Sequence, residues 1–415
     1  MKDSSIFACR MWLFVFILIS CVLVEVKCAN ATDKTTLNAA LLTGYNPNVL
    51  PGSDYSTQLL NINVSFMFSS LQSFVEVTGE LSIVGYFEIF WKDERLAWDP
   101  ATYNYVNGTH LKQKEIWTPP FMLVDSAEDV KIIGDEDMHL SVDYTGVVMW
   151  SPPARILSAC DADVTYYPFD RQTCVMRYMP WGYTASEIQL NVIYSSFLMD
   201  IFSENPTWKL ISTGFKSVQT PFLRFEMSVQ FERRNAFFVV NLILPIIFMC
   251  LTNMFVFLIP ADSGDRMGFS TTLLLTIAVF LSIVTAALPQ SSTPSISLLC
   301  YLLIVHILLS MLVMICTIIG LRMFMKPPEE PVPKWLAKLT RFVHVITCKK
   351  HKVNPEKTEK KDEVEDMTEN DDKKVDDYIT WIVVSNAFDK ICMGFFMMTA
   401  MSFNLTFLFV LSTSS

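Results

Sequence analysis

The run Asp265-Arg-Met-Gly-Phe-Ser-Thr-Thr-Leu-Leu-Leu-Thr-Ile-Ala-Val-Phe-Leu-Ser-Ile-Val-Thr-Ala-Ala-Leu288 decides how the rest of the chain is read. It is long enough to cross a bilayer, since about 20 apolar residues at ~1.5 Å per residue suffice. It also carries hydroxyls at Ser270, Thr271, Thr272, Thr276, Ser282 and Thr285, more than contact with lipid needs. On a helix, Asp265, Gly268, Thr272, Leu275, Val279, Ser282 and Ala286 recur at spacings of three and four and share one face. That face begins acidic, continues small and hydroxylated, and becomes apolar at Leu275 and Val279. Two readings stay open at this point. The stripe lines a water-filled pore, or its hydroxyls pack against a neighbouring helix or their own backbone.

Working outward, the composition is that of a membrane protein: 51% hydrophobic and only 18% charged over 415 residues. Lys2 and Arg10 precede an apolar run from Met11 to Val24, which reads as a secretory signal peptide over 1–28. Four apolar spans are expected, near 237–259, 265–288, 296–321 and 391–411. Pro245 interrupts the first, which a packed membrane bundle tolerates. Arg322, Lys326, Lys334, Lys338, Arg341, Lys349 and Lys350 follow the third span and mark that side as cytosolic. A cleaved signal and four spans then place both termini outside, in a multi-pass plasma-membrane protein. The expected organisation is a secreted domain at 29–234, spans one to three at 235–322, a cytosolic insert at 323–388, the fourth span at 389–411 and a tail at 412–415. Within the insert, Trp335, Leu336, Leu339, Phe342 and Val343 would share one face of a helix, lying along the membrane or packing on the bundle. Lys352 to Asp377 is almost all charge and reads as a solvated segment.

Residues 29–234 read as short alternating strands separated by Pro, Gly, Asn and Asp, the pattern of an immunoglobulin-like β-sandwich. Of ten cysteines, only Cys160 and Cys174 fall in the mature secreted part. In an oxidising compartment they should pair, and closing that loop suggests about 3 kcal/mol of stabilisation. Asn30, Asn63 and Asn107 open glycosylation sequons.

Other function classes find little support. There is no G-x-S-x-G, HExxH or P-loop pattern, so no catalytic residues and no cofactor are assigned. The five histidines are too scattered for a metal site, and no basic stripe points to nucleic acid. A membrane-anchored recognition protein without conduction remains as an alternative.

The order of secreted sandwich, disulfide loop, three close spans, insert and fourth span resembles the Cys-loop family of pentameric ligand-gated channels, and within it nicotinic acetylcholine receptor subunits. Trp91-Lys-Asp-Glu-Arg-Leu-Ala-Trp98-Asp-Pro100 looks like the family's WxDxxLxWxP. Trp150-Ser-Pro-Pro-Ala-Arg-Ile-Leu-Ser-Ala-Cys160 looks like its approach to the loop. Tyr166-Tyr-Pro-Phe-Asp170 is similar to the loop's tip, and Pro260-Ala-Asp-Ser-Gly-Asp-Arg266 to the lead into the pore helix. The resemblance runs from about residue 40 to 411 and omits the cytosolic insert.

The resemblance implies a symmetric or pseudo-symmetric pentamer, with four further identical or homologous subunits as partners and the second span lining the pore. Asp265 would then form an acidic ring that favours cations, where anion-selective relatives carry Pro-Ala. Leu275 and Val279 would close the pore by excluding water. At the outer end Ala286 stands where cation-conducting relatives often carry an acid. Glu76, Asp170 and Arg233 match a buried charge cluster that couples ligand to pore, with Pro168 and Phe169 pressing on the linker 289–294. The resemblance also implies a small extracellular ligand held in an aromatic box. Trp181 and Tyr86 match two of its members. Phe215 and Phe222 stand for two tyrosines, Val124 replaces a third, and Met149 and Ser151 line the complementary side. Ser217 and Val218 occupy the places of a vicinal cysteine pair, which marks a non-alpha type of subunit. Such a pocket should be more open and more apolar than its relatives', and should bind acetylcholine weakly. It also fits a non-ligand-binding structural subunit of a heteropentamer.

Overall fold

The computed structural model describes residues 30–52, 59–289, 296–346 and 380–414. The signal peptide at 1–28, the charged segment 352–377 and linker positions 290–294 lie outside the described residues. The chain divides into two compact units. The first comprises Met1–Val75, Gly79–Asp161 and Thr173–Phe231. The second comprises Glu76–Thr78, Ala162–Gln172 and Glu232–Ser415.

The first unit opens with helix α1 (Ala31–Leu42). Asn30 caps it, accepting from the Asp33 N–H at 2.9 Å, while the Asp33 carboxylate accepts from the Asn30 N–H. Eleven strands follow. They are β1 (Leu60–Val75), β2 (Glu80–Lys92), β3 (Gly108–Lys112), β4 (Phe121–Leu123), β5 (His139–Asp143), β6 (Val147–Trp150), β7 (Pro153–Ala159), β8 (Arg171–Pro180), β9 (Ile188–Val192), β10 (Trp208–Val218) and β11 (Arg224–Arg233). One sheet runs β3-β5-β6-β2-β1-β9 with β7 also on β2, and the other runs β10-β11-β8-β4. This is the expected sandwich, with β1 and β9 paired in parallel.

Period-two alternation builds the core. Along β2, Leu81, Ile83, Phe87, Ile89 and Trp91 are buried while Tyr86, Glu88 and Phe90 are half-buried on the outer face. Phe87 meets Tyr178 and Phe225 of the other sheet with centroids 5.2 and 5.9 Å apart. The tryptophans of the quoted motifs are structural: Trp91 packs edge-on against Trp117 and Trp150. Cys160 and Cys174 are bonded, as expected. At the end of the β1–β2 turn Gly79 has φ +67°, and a Cβ there would sit 2.9 Å from the Cys160 carbonyl oxygen, so only glycine fits.

Among the described residues, the second unit holds four helices long and apolar enough to cross a membrane: α2 (Ala236–Leu258), α3 (Arg266–Ala286), α4 (Leu298–Phe324) and α6 (Trp381–Thr413). A π turn at Val239–Ile243 precedes Pro245, which lacks an N–H to donate. Cys250, Met254, Phe257, Leu309, Val313, Phe396 and Ala400 form the bundle's buried centre. Polar rungs cross it, from the Asn253 amide to Ser310 Oγ at 2.8 Å and from Ser385 Oγ to the Gly320 carbonyl at 2.9 Å. Between α4 and α6 lies α5 (Lys334–Ile346). It packs on α6 and buries Thr340 and Val343, while Trp335 and Phe342 stay exposed. Of the two expectations for this segment, packing on the bundle is observed on one side, and Trp335 and Phe342 form an exposed apolar row on the other.

The fourth helix starts well before the expected 391, at Trp381. Hydropathy stops at the adjacent charges Asp389 and Lys390, whereas the helix runs through them because Asp389 has a buried partner.

Candidate functional site

The expected ligand contacts fall on the two outer faces of the sandwich. Trp181, directly after β8, is 64% exposed, as is Phe222 before β11; Val124 after β4 is also exposed. Tyr86 on β2 and Met149 on β6, with Ser151 beyond it, sit on the outer face of the other sheet. The expected contacts thus lie on opposite faces of one chain, Trp181, Phe222 and Val124 on one and Tyr86, Met149 and Ser151 on the other.

Phe215 is the exception. It is only 3% exposed, with its ring edge-on to Phe197 and Phe225, and belongs to the sandwich core and not to the ligand face. The reason is strand alternation: in β10 Gly214 and Lys216 face outward, so residue 215 must face in. The expected ligand contact at 215 therefore falls on the inward side of β10.

The outward residue is Lys216, and it joins a charge network on this sheet. Its Nζ lies 2.9 Å from Glu226 Oε2, and Arg224 Nε donates to Glu226 Oε1 at 2.7 Å. Arg177 Nε is 3.9 Å from the same carboxylate, and Arg177 Nη1 donates to Asp125 Oδ1 at 3.0 Å. Lys216's hydrogen bond holds the Glu226 carboxyl below its usual range; burial opposes this and Arg224 assists it. The network touches the predicted ligand face at two points. Val124 N–H donates to the Arg177 carbonyl at 2.8 Å, and Arg224 Nη1 donates to the Phe222 carbonyl. A separate cavity of about 210 Å³, lined by Leu123, Ile133, Arg155, Ile156 and Tyr178 among others, shares none of the predicted contacts.

Glu76, Asp170 and Arg233, the residues expected to couple ligand to pore, meet in one charge cluster within the second unit. Arg233 grips Asp170 with both arms, Nε to Oδ1 at 2.7 Å and Nη2 to Oδ2 at 2.9 Å, and its Nη2 also donates to Glu76. Burial works against the Arg233 charge, and the two carboxylates outweigh it and keep the guanidinium charged. The guanidinium also lies over the rings of Tyr167 and Phe238, at 4.9 and 5.1 Å. Burial pushes the Tyr167 phenol up to about 12. Pro168 is buried and Phe169 half-buried. One contact was not foreseen: the Leu298 N–H, opening α4, donates to the Thr165 carbonyl of the disulfide loop at 3.0 Å.

On α3 every residue of the predicted stripe, Asp265, Gly268, Thr272, Leu275, Val279, Ser282 and Ala286, is exposed. Arg266, Ser270, Ile277 and Val284 are buried on the other side. Thr272 and Ser282 donate to their own helix, at Gly268 and Ala278, so neither needs a partner helix. The base of this helix holds what sequence reasoning missed. Arg266, 2% exposed, donates from Nη2 to Asp389 Oδ2 of α6 at 2.8 Å and from Nε to the Ile259 carbonyl. The available signal was the pairing of one cation at the start of the second span with one acid in the fourth.

Two models of neurotransmitter-gated ion channels match the chain: the ligand binding domain over residues 34–235 and the transmembrane region over 242–377. The chain belongs to this family of ligand-gated channels, which is not a family of enzymes. It resembles the neuronal acetylcholine receptor subunit alpha-6 of Rattus norvegicus, with 28% identity over 74% of this chain and 63% of that protein. It is similarly close to the acetylcholine receptor subunit beta of Xenopus laevis (27%, covering 76% of this chain and 67% of that protein). The beta-type subunit lev-1 of Caenorhabditis elegans is 28% identical over 75% of this chain and 61% of that protein. The match thus spans a little under two thirds of the length of several of these relatives.

Proposed function

We propose that the chain is one subunit of a cation-selective channel of the plasma membrane, opened by a small extracellular ligand and built from five identical or homologous subunits. The observation that carries this reading is the division of α3 into a buried side and an exposed, hydroxyl-bearing side that starts at Asp265. Five such acids at the cytosolic mouth attract cations and repel anions. The neighbouring Arg266 does not cancel them, because its charge is buried and bound to Asp389. The exposed rings of Leu275 and Val279 form the gate. Both termini are extracellular. Acetylcholine binds weakly, because the ligand face keeps Trp181 and Phe222, lacks an aromatic at Val124 and carries Lys216.

A second reading is a structural subunit that conducts only beside an alpha-type partner, favoured by Ser217 and Val218 at the end of β10. Current recordings from cells expressing this chain alone separate the two. The first reading predicts ligand-evoked currents whose reversal potential follows external sodium and is indifferent to external chloride, and Asp265→Ala weakens that cation dependence. Currents only after co-expression support the second, and currents that reverse at the chloride potential contradict both.

A further inference from the structure

The outer face of the four-stranded sheet has a charge balance that bears on the ligand's chemistry. Three cations, Lys216, Arg224 and Arg177, come from three different strands and meet two carboxylates, Glu226 and Asp125. The side chains of the carboxylates are 10% and 23% exposed, and each is already engaged. Lys216 is 69% exposed and Arg177 44%, and each spends only part of its donor set on these acids. A lysine has three donors and an arginine five. One positive charge is therefore left over in this network on a sheet that also carries the exposed rings of Trp181, directly after β8, and Phe222, whose carbonyl accepts from Arg224. A quaternary ammonium brought to those rings gains cation–π attraction and meets this surplus cation, whereas a carboxylate meets unspent N–H donors.

We propose that the ligand read by this face is a small amphipathic carboxylate, with its apolar body on Trp181 and Phe222 and its acid group toward Lys216. This rests on Trp181 and Phe222 forming the principal half of the ligand site. The test uses three probes that share a phenyl ring and differ in the charge of the tail: phenylacetate, phenylacetamide and 2-phenylethylamine. Binding is measured by titration calorimetry on the full chain reconstituted in lipid nanodiscs. Phenylacetate is expected to bind about tenfold tighter than 2-phenylethylamine, the effect of one close charge contact in a solvated site. Lys216→Met should abolish that preference, Lys216→Arg should keep it, and Trp181→Ala should weaken all three probes. Equal or tighter binding of the amine, still weakened by Trp181→Ala, overturns the carboxylate assignment and leaves the site standing. An acid preference that survives Lys216→Met also overturns it. Binding indifferent to Trp181→Ala overturns the site itself, and no binding of any probe overturns both. Correct folding of the variants is checked by their melting midpoints.

Discussion

Replacing Arg233 by glutamine is expected to remove about 3–5 kcal/mol of stability, because it strands a carboxylate that has no other cation among the described residues. The Asp170 side chain is 1% exposed and that of Arg233 3% exposed. Without the guanidinium, Asp170 retains the Gln172 amide at 2.7 Å as its side-chain donor, and Glu76 loses its partner too. One neutral hydrogen bond does not offset the desolvation of a carboxylate. A loss of that size is a large share of the roughly 5–15 kcal/mol that holds a domain together. Arg233→Lys should fall between, since it keeps the charge and loses the two-armed geometry. The measurements are the melting midpoint of the purified chain and the amount reaching the cell surface. A glutamine variant with the wild-type midpoint would show that the cluster contributes nothing.

The second large effect is expected at the base of the pore helix. Asp389→Ala leaves Arg266 buried with its charge unpaired, at a cost of about 3–5 kcal/mol, more than the loss of one hydrogen bond. The double change Arg266→Met with Asp389→Leu removes both charges and fills the space with apolar atoms, so it should recover most of the stability. Rescue by the double variant separates a buried-charge penalty from damage to α6 itself. If the double variant melts as low as the single one, the ion pair is not what joins α3 to α6 at this level.

Sequence periodicity was enough for the parts governed by alternation and length. Inward Leu81, Ile83 and Phe87 follow from period two, and the exposed stripe of α3 follows from period 3.6, because both are set by which side of an element avoids water. Cys160 and Cys174 were legible by location alone. The coupling centre was legible only through resemblance: Glu76, Asp170 and Arg233 are far apart in the chain, and no local pattern brings them together. Phe215 lies inside because a one-residue slip in a strand exchanges inside for outside, and motif resemblance alone does not fix that register. The Arg266–Asp389 pair was hidden for a related reason. Hydropathy treats each charge as a cost and ends a span at it, while two such charges that meet across helices allow both spans to continue.

The central claim is that the hydroxyl-bearing side of α3 faces water. It is tested most directly by single cysteines along the helix, exposed in intact cells to a charged, membrane-impermeant methanethiosulfonate reagent. Among the described residues the free thiols are shielded, with Cys250, Cys300 and Cys392 buried and Cys316 half-buried, and the unsubstituted chain serves as the labelling background. Reaction at Ser282→Cys and Ala286→Cys, which lie outside the Leu275–Val279 gate, and slower reaction at Val279→Cys, with none at Ile277→Cys or Val284→Cys, is the predicted result. Silence at all five positions, or reaction confined to 277 and 284, would contradict it.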